Sequence, residues 1–396
     1  MPTALLDLTV LATGSRARGI GRYVADLALA MSRRLEDGSG ALRLRGVERL
    51  SFLGPGRIAD DVPAAVERLL SSPHENAHMH WAYHVRIALP RETRRARPDL
   101  LHTGHPEATP LGRLPCPRVT TAHDLIVLKF AERYASYKEG FRPGRERLDL
   151  RRFGRPEHII AVSETTASDL VTQLGIPAGK ISVVYNGVDL SRFSPEVAPR
   201  DSEARARQGL EGRNYLLYVG AGDWRKNPDG MFAALSRARR RAPGLDLCLA
   251  WAGRLNQENG QAVGELAVRH GVTRDVHMLG YVSDEDLGAL NRGAVAQFFV
   301  SRSEGFGYPI VEAMASGCPV ITSNRSSMAE LAGDAALMVD PEEPDEIAEA
   351  IVALGESESE RRRFRDRGAV RCRYFSLDRM ADETLEVYRS VLRGRR

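Results

Sequence analysis

From about residue 214 to residue 324 the chain alternates short apolar runs with amphipathic stretches, and this alternation constrains the fold more than any other feature. NYLLYVG is followed by NPDGMFAALSRARRR, LDLCLAWAG by GQAVGELAVRHG, VHMLGYV by SDEDLGALNRG and VAQFFV by GYPIVEAMASG, and PVITSN closes the series. Short runs rich in Val, Leu, Phe and Tyr read as strands buried on both faces, whereas apolar residues recurring every three to four positions read as helices. Repeated βα units build a parallel sheet with helices on both sides. The first half is less regular but carries the same signals at TALLDLTVLAT, DLLHTGH, PRVTTAHDL and HIIAVSE. The expected fold class is therefore α/β, with two doubly wound, Rossmann-like domains. A chain of 396 residues also exceeds one ordinary core and suits two. YNGVDLSRFSPEVAPR, residues 185 to 200, is rich in turn residues and prolines and predicts the linker between a domain at 1–190 and another at 191–375. YFSLDRMADETLEVYRSVLRGRR at 374–396 predicts a final amphipathic helix, capped by Ser376, with Met380, Leu385, Val387 and Leu392 on its apolar side.

Composition removes several classes. No apolar run is long enough to span a bilayer, and the opening TALLDLTVLATG is broken by Asp7 with no basic region before it, so it reads as a first buried strand. Cys116, Cys248, Cys318 and Cys372 lie far apart with no C-x-x-C pair, which makes a reducing cytoplasm the expected place. The net charge of +4 is uneven: residues 1–190 hold 27 basic against 21 acidic residues, and 191–396 hold 29 against 31. The densest basic stretch, 129–155, has nine basic and four acidic residues, including Arg142, Arg145, Arg147, Arg151 and Arg152. A solvated helical face is favoured there over peripheral contact with the inner membrane face or with an acidic acceptor. Nucleic acid is not an expected partner, because no stacking aromatics accompany the arginines.

In doubly wound sheets ligands bind beyond the carboxyl ends of the strands, and the residues that stand out fall there. SEGFGYPIVEAMASG at 303–317 places Glu304 and Glu312 eight positions apart around a Gly-Phe-Gly turn. The loop Gly305, Phe306, Gly307 runs into a helix start at Tyr308 and Pro309, where free backbone amides and the helix dipole favour an anion. Two carboxylates beside such a site require a guest that also offers hydroxyls, which points to a nucleotide sugar. In GAGDWRKN, Arg225 and Lys226 precede a helix whose dipole opposes them, so diphosphate binding is favoured over a solvated helix start. Lysine is also scarce, at four among 56 basic residues. Gly19 and Gly21 in GIGRY lie between a strand and an amphipathic helix, a placement that favours close approach to a ligand over a plain turn; Arg22 adds a charge. His123 in TTAHDL ends a strand, and there a structural and a catalytic role balance; His105 in the LHTGH loop ranks below it.

Two metal patterns are set aside. HENAH at 74–78 matches a zinc-peptidase pattern with His80 and His84 close behind, but it follows Ser71-Ser72-Pro73 rather than opening a helix. Asp284 and Asp286 are better explained as first-turn acids behind a Ser283 cap. No metal site is expected.

Taken together the segments resemble the retaining nucleotide-sugar glycosyltransferases of GT-B architecture, specifically glycosyltransferase family 4, which includes many bacterial mannosyltransferases. GIGRY, TAHDL, IIAVSETTASDL, ISVVYNGVDLSRF, LLYVGAGDWRKN, MLGYVSDEDLGAL, SEGFGYPIVEAMASG and PVITSN follow the family's order, and Glu304 to Glu312 matches its E-x7-E motif. The resemblance implies that Glu312 holds the ribose and that Glu304, with the Gly305 to Gly307 amides, meets the donor sugar and diphosphate. It implies that Arg225 and Lys226 neutralise the leaving diphosphate, that His123 lies near the donor sugar, and that the Gly19 loop covers the phosphate. Tyr281, Val282 and Ser283 are implied at the base edge. Leu287 and Tyr308 fall on the donor side, His105 and Asp124 on the acceptor side. Ala221 departs from members with a further arginine there, which throws more charge onto Arg225 and Lys226. GT-B proteins also return their final helix to the first domain, so 376–396 is expected there.

The implied reaction moves a hexose, mannose favoured, from a GDP-sugar to an acceptor that is a glycan, a lipid-linked sugar or a small natural product. No other cofactor is expected. Two alternatives stand beside it: another GT-B activity, such as a nucleotide-sugar epimerase or a phosphorylase, and a binding partner without turnover.

Overall fold

A computed structural model describes residues 1–17, 19–38, 42–48, 56–73, 83–135 and 145–394. HENAH and His80 lie outside the described residues, as does the 136–144 part of the basic stretch. The chain divides into two compact units, Met1–Gly187 with Leu377–Arg396, and Val188–Ser376.

The first unit holds seven strands: β1 (Thr3–Asp7), β2 (Arg43–Glu48), β3 (Arg57–Ala59), β4 (Leu100–Thr103), β5 (Arg118–Ala122), β6 (His158–Ala161) and β7 (Ile181–Val183). They are ordered β3-β2-β1-β4-β5-β6-β7, parallel except for β3, which runs antiparallel to β2. Helix Gly19–Glu36 buries Tyr23, Val24, Leu27, Ala28 and Met31, the spacing of one apolar face turned to the sheet.

Helix Leu377–Arg393 packs on that helix and places Met380, Ala381, Leu385 and Tyr388 in the same core. Arg34 holds Asp382 with two bonds of 2.8 Å, and the Tyr388 hydroxyl lies 2.7 Å from His102 Nδ1. His102 Nε2 in turn meets Thr121 Oγ1 at 2.8 Å. Burial pushes the His102 ring down to about 3.

The second unit holds β8 (Tyr215–Val219), β9 (Cys248–Ala252), β10 (Val276–Gly280), β11 (Ala296–Phe299), β12 (Val320–Ser323) and β13 (Leu337–Val339). All are parallel, in the order β10-β9-β8-β11-β12-β13. Trp251, Tyr215, Tyr218, Phe232, Phe298 and Phe299 are fully buried around this sheet.

The chain passes between units at Gly187 and Val188, inside the predicted linker. Val188 and Phe193 are buried, whereas Ser191, Arg192 and residues 195–197 are exposed. The Asp189 carboxylate accepts from the amide and hydroxyl of Ser191, so the turn residues are spent on a fixed local fold. Val188 N donates to Phe375 O at 2.8 Å, so the outgoing chain pairs with the segment just before the return crossing. Among the described residues no helix is long and apolar enough to cross a membrane.

Candidate functional site

In the second sheet the chain steps from β8 outward through β9 and β10, then returns to place β11 on the other side of β8. Between β8 and β11 the loops above the strand ends therefore diverge, leaving the crevice in which doubly wound sheets take ligands.

After β8, Asp223 caps a 3-10 turn, Trp224–Lys226, by accepting from Arg225 N at 3.2 Å. Asn227 then takes φ 61°, caps helix Pro228–Arg241 and donates to Val300 O and Pro341 O at 3.2 and 2.7 Å. That buried amide ties the β8 loop to the β11 loop. Arg302 adds to the tie through Arg302 N to Arg225 O at 2.8 Å and Arg302 Nη1 to Trp224 O at 2.9 Å.

The result is a three-charge cluster. Lys226 Nζ donates to Glu304 Oε1 at 2.7 Å, Arg225 Nη1 to Glu304 Oε2, and Arg225 Nη1 also to Ser303 O at 3.1 Å. Lys226 Nζ sits 4.9 Å from the centre of the Phe299 ring. Burial pushes the Glu304 carboxyl up, but Lys226 and Arg225 outweigh it and hold the group below the usual range. Burial lowers Lys226, with Glu304 opposing. Glu304 thus aims two cations, with a second carboxylate, Asp223, 3.6 Å from Arg225 Nε.

The backbone of Glu304 is fixed as well: Ser326 Oγ donates to Glu304 O at 2.6 Å and accepts from Glu304 N at 3.0 Å, while Ser327 Oγ donates to Phe306 O at 2.6 Å. Gly307 takes φ +121°, and helix Tyr308–Ala315 begins there with no side-chain cap. Phe306 is buried between Tyr308 and Phe375. Glu312 is buried in the same helix.

The residues expected at the base edge follow β10. Tyr281 is 60% exposed, Val282 is half-buried, Ser283 caps helix Asp284–Gly293 by accepting from Asp286 N at 3.2 Å, and Leu287 is buried. Asp284 and Asp286 pair with Arg192 and Arg207 at 2.7 Å each.

In the first unit the equivalent divergence lies between β1 and β4. Asp7, at the end of β1, accepts from Thr9 Oγ1 at 2.6 Å, and His84 Nε2 lies 2.9 Å from that hydroxyl. His105 follows β4, where burial pushes its ring down to about 3. His123 follows β5, and its Nε2 lies 2.8 Å from Gly104 O. A carbonyl only accepts, so Nε2 carries the proton; burial lowers this ring too, and the neutral ring keeps Nδ1 as an acceptor. Tyr23 packs edge-on against it at 4.9 Å. His105, His123 and Asp124 share a cavity of about 230 Å³ whose apolar wall includes Ile20, Leu125, Val127, Leu128 and Phe153.

Gly19 is exposed at the first position of its helix, and Arg22 pairs with Asp26 at 3.5 Å. Gly21 is a correction: a Cβ there would collide with Arg16 Cα and the Ser15 carbonyl oxygen, so the glycine serves the packing of the chain on itself. Sequence reasoning missed Asn227, Arg302, Ser326 and Ser327, whose only signal was polarity beside a predicted strand end. It also missed Arg254, whose guanidinium lies 4.9 Å from the centre of the Tyr281 ring.

Two family descriptions match, Glycosyltransferase Family 4 over residues 17–192 and Glycosyl transferases group 1 over 200–371. The O-antigen chain mannosyltransferase B of Escherichia coli is 29% identical over 277 residues, covering 68% of this chain and 70% of that protein. The D-inositol 3-phosphate glycosyltransferase of Salinispora tropica is 31% identical over 317 residues, covering 73% of this chain and 63% of that protein. Among the first curated relatives the matched stretch spans from 54% to 70% of the relative's own length. A crystal structure of Anabaena HepE with UDP and glucose superposes with a TM-score of 0.72 at 17% identity, covering 98% of this chain and 100% of that one. This last likeness carries the fold, and the sequence matches span both units: the chain belongs to the family 4 glycosyltransferases and has the GT-B fold of two Rossmann-like domains.

Proposed function

We propose that the protein transfers a hexose, mannose by preference, from a GDP-sugar to an acceptor hydroxyl with retention of configuration and without a metal ion. The observation that carries this reading is the Arg225–Lys226–Glu304 cluster at the carboxyl ends of β8 and β11, beside the uncapped helix start at Tyr308. Breaking the sugar C1–O bond sends its electron pair to the diphosphate, and charge growing there is stabilised by fixed cations and helix amides. The acceptor oxygen bonds to C1 on the face the diphosphate leaves, and its proton passes to the departing phosphate. The preference for mannose rests on the family and on the Escherichia coli relative's name. The four free, buried cysteines suit a reducing cytoplasm. Peripheral attachment through 129–155 belongs to this reading as a proposal resting on charge alone. Incubating the protein with a panel of nucleotide sugars, and reading released nucleotide and the anomeric configuration of the product, tests the whole reading.

Two further results are expected. Activity survives EDTA, because the cluster supplies the charge that a metal would otherwise bring; loss on chelation, restored by Mn²⁺ or Mg²⁺, would show that the reaction needs a cation. Glu312→Ala weakens binding of the nucleoside diphosphate by roughly tenfold, since a ribose contact to a carboxylate is made in ground and transition states alike. Calorimetry giving unaltered affinity would remove Glu312 from the site.

A further inference from the structure

Strands β8, β9 and β10 each run out into a glycine, at Gly220, Gly253 and Gly280. Gly220 N donates to Ala252 O at 2.9 Å and Gly253 N to Gly280 O at 2.7 Å, so the three ends form one connected edge without side chains. A Cβ on Gly253 would collide with the Gly220 carbonyl oxygen, and Gly280 holds φ +70°. The bare edge begins at the Arg225–Lys226 loop and ends at Arg254 and Tyr281, each directly after its glycine.

Arg254 and Tyr281 are both exposed, and the guanidinium lies 4.9 Å from the ring centre. Among the described residues no carboxylate pairs with Arg254, whereas Arg237, Arg239 and Arg241 of helix Pro228–Arg241 all have acidic partners. A guanidinium held over an aromatic ring keeps its in-plane N–H groups as a fork for a flat, acceptor-bearing edge. Two strand spacings, roughly 10 Å, separate β8 from β10, a span suited to a ribose and base hanging from a diphosphate held at the β8 loop.

We propose that Arg254, held by Tyr281, recognises the base of the donor nucleotide and selects guanine. Guanine offers O6 and N7 as two acceptors on one edge, matching the fork; adenine sets a donor beside its N7, and a uracil-type base offers one acceptor on the equivalent edge. The inference rests on the nucleotide-sugar reading of the same site and gives it a residue that decides the donor.

The test is calorimetric titration of the full chain, wild type, Arg254→Ala and Arg254→Lys, with GDP, ADP, UDP and inorganic pyrophosphate. The expected result is a wild-type preference for GDP, a loss of roughly tenfold or more in GDP affinity in Arg254→Ala, and unchanged pyrophosphate binding. Arg254→Lys recovers little, because an ammonium cannot make the paired bonds. GDP affinity in Arg254→Ala within twofold of wild type overturns the assignment, as does a wild type that prefers UDP or ADP. A fall in pyrophosphate binding in Arg254→Ala would place Arg254 on the diphosphate and overturn it equally. A wild type that binds none of the three nucleotides would instead overturn the nucleotide-sugar reading itself, and the base assignment with it.

Discussion

Replacing Lys226 with alanine is expected to lower turnover of the donor by roughly 10²-fold or more while the protein stays folded. Lys226 stands on the 3-10 turn after β8, outside the strands, and its ammonium meets the sheet at the Phe299 ring, 4.9 Å from its centre. Its partner Glu304 keeps Arg225, which the Ser303 carbonyl holds in place, so the carboxylate is not stranded when the lysine goes. What disappears is one of the two cations proposed to face the leaving diphosphate, and an interaction that strengthens as the sugar–phosphate bond breaks acts on kcat. Arg225→Ala should act in the same direction. Released nucleotide measured by mass spectrometry, with circular dichroism as the control for folding, decides the matter; wild-type turnover in Lys226→Ala would refute the role.

Truncation before Leu377 is expected to have the larger structural effect. The helix Leu377–Arg393 removes Met380, Ala381, Leu385 and Tyr388 from the core of the first unit, together with the Asp382 partner of Arg34 and the hydroxyl beside His102. Deleting one large buried side chain costs about 2–5 kcal/mol, and a domain's whole stability is about 5–15 kcal/mol. Losing several at once should unfold the first unit and abolish transfer, although no residue of the Arg225–Lys226–Glu304 cluster is touched. Hydrogen exchange should report the loss in 1–187 while the Arg225–Lys226–Glu304 cluster of the second unit keeps its protection. A truncated protein that is soluble, cooperative in melting and fully active would show that the first unit does not need this helix.

Much of this protein was legible before any tertiary structure. The alternation of NYLLYVG, LDLCLAWAG, VHMLGYV and VAQFFV with amphipathic stretches became β8 to β11 and their helices, because burial on both faces leaves a continuous apolar run and burial on one leaves a 3.6-residue period. The positions of Arg225, Lys226, Glu304 and Tyr308 after strands or at helix starts followed from the same pattern. Their meeting did not. Lys226 and Glu304 are 78 residues apart and become partners only because β11 returns to the far side of β8, and local periodicity carries no information about which strands pair. The stacking of Arg254 on Tyr281 depends in the same way on β9 lying beside β10. Gly21 was read as room for a ligand because a glycine looks the same whatever approaches it; only the backbone of Arg16 against it shows that the chain fills that room itself. The linker at 185–200 could be read because turn chemistry is local; that the crossing falls at Gly187 and that Phe193 is buried could not, because both depend on distant contacts. The sequence by itself therefore determined the elements, their solvent-facing sides and the chemistry at their ends. The tertiary structure decided which ends share a crevice, because strand order is set by contacts between segments distant in the chain.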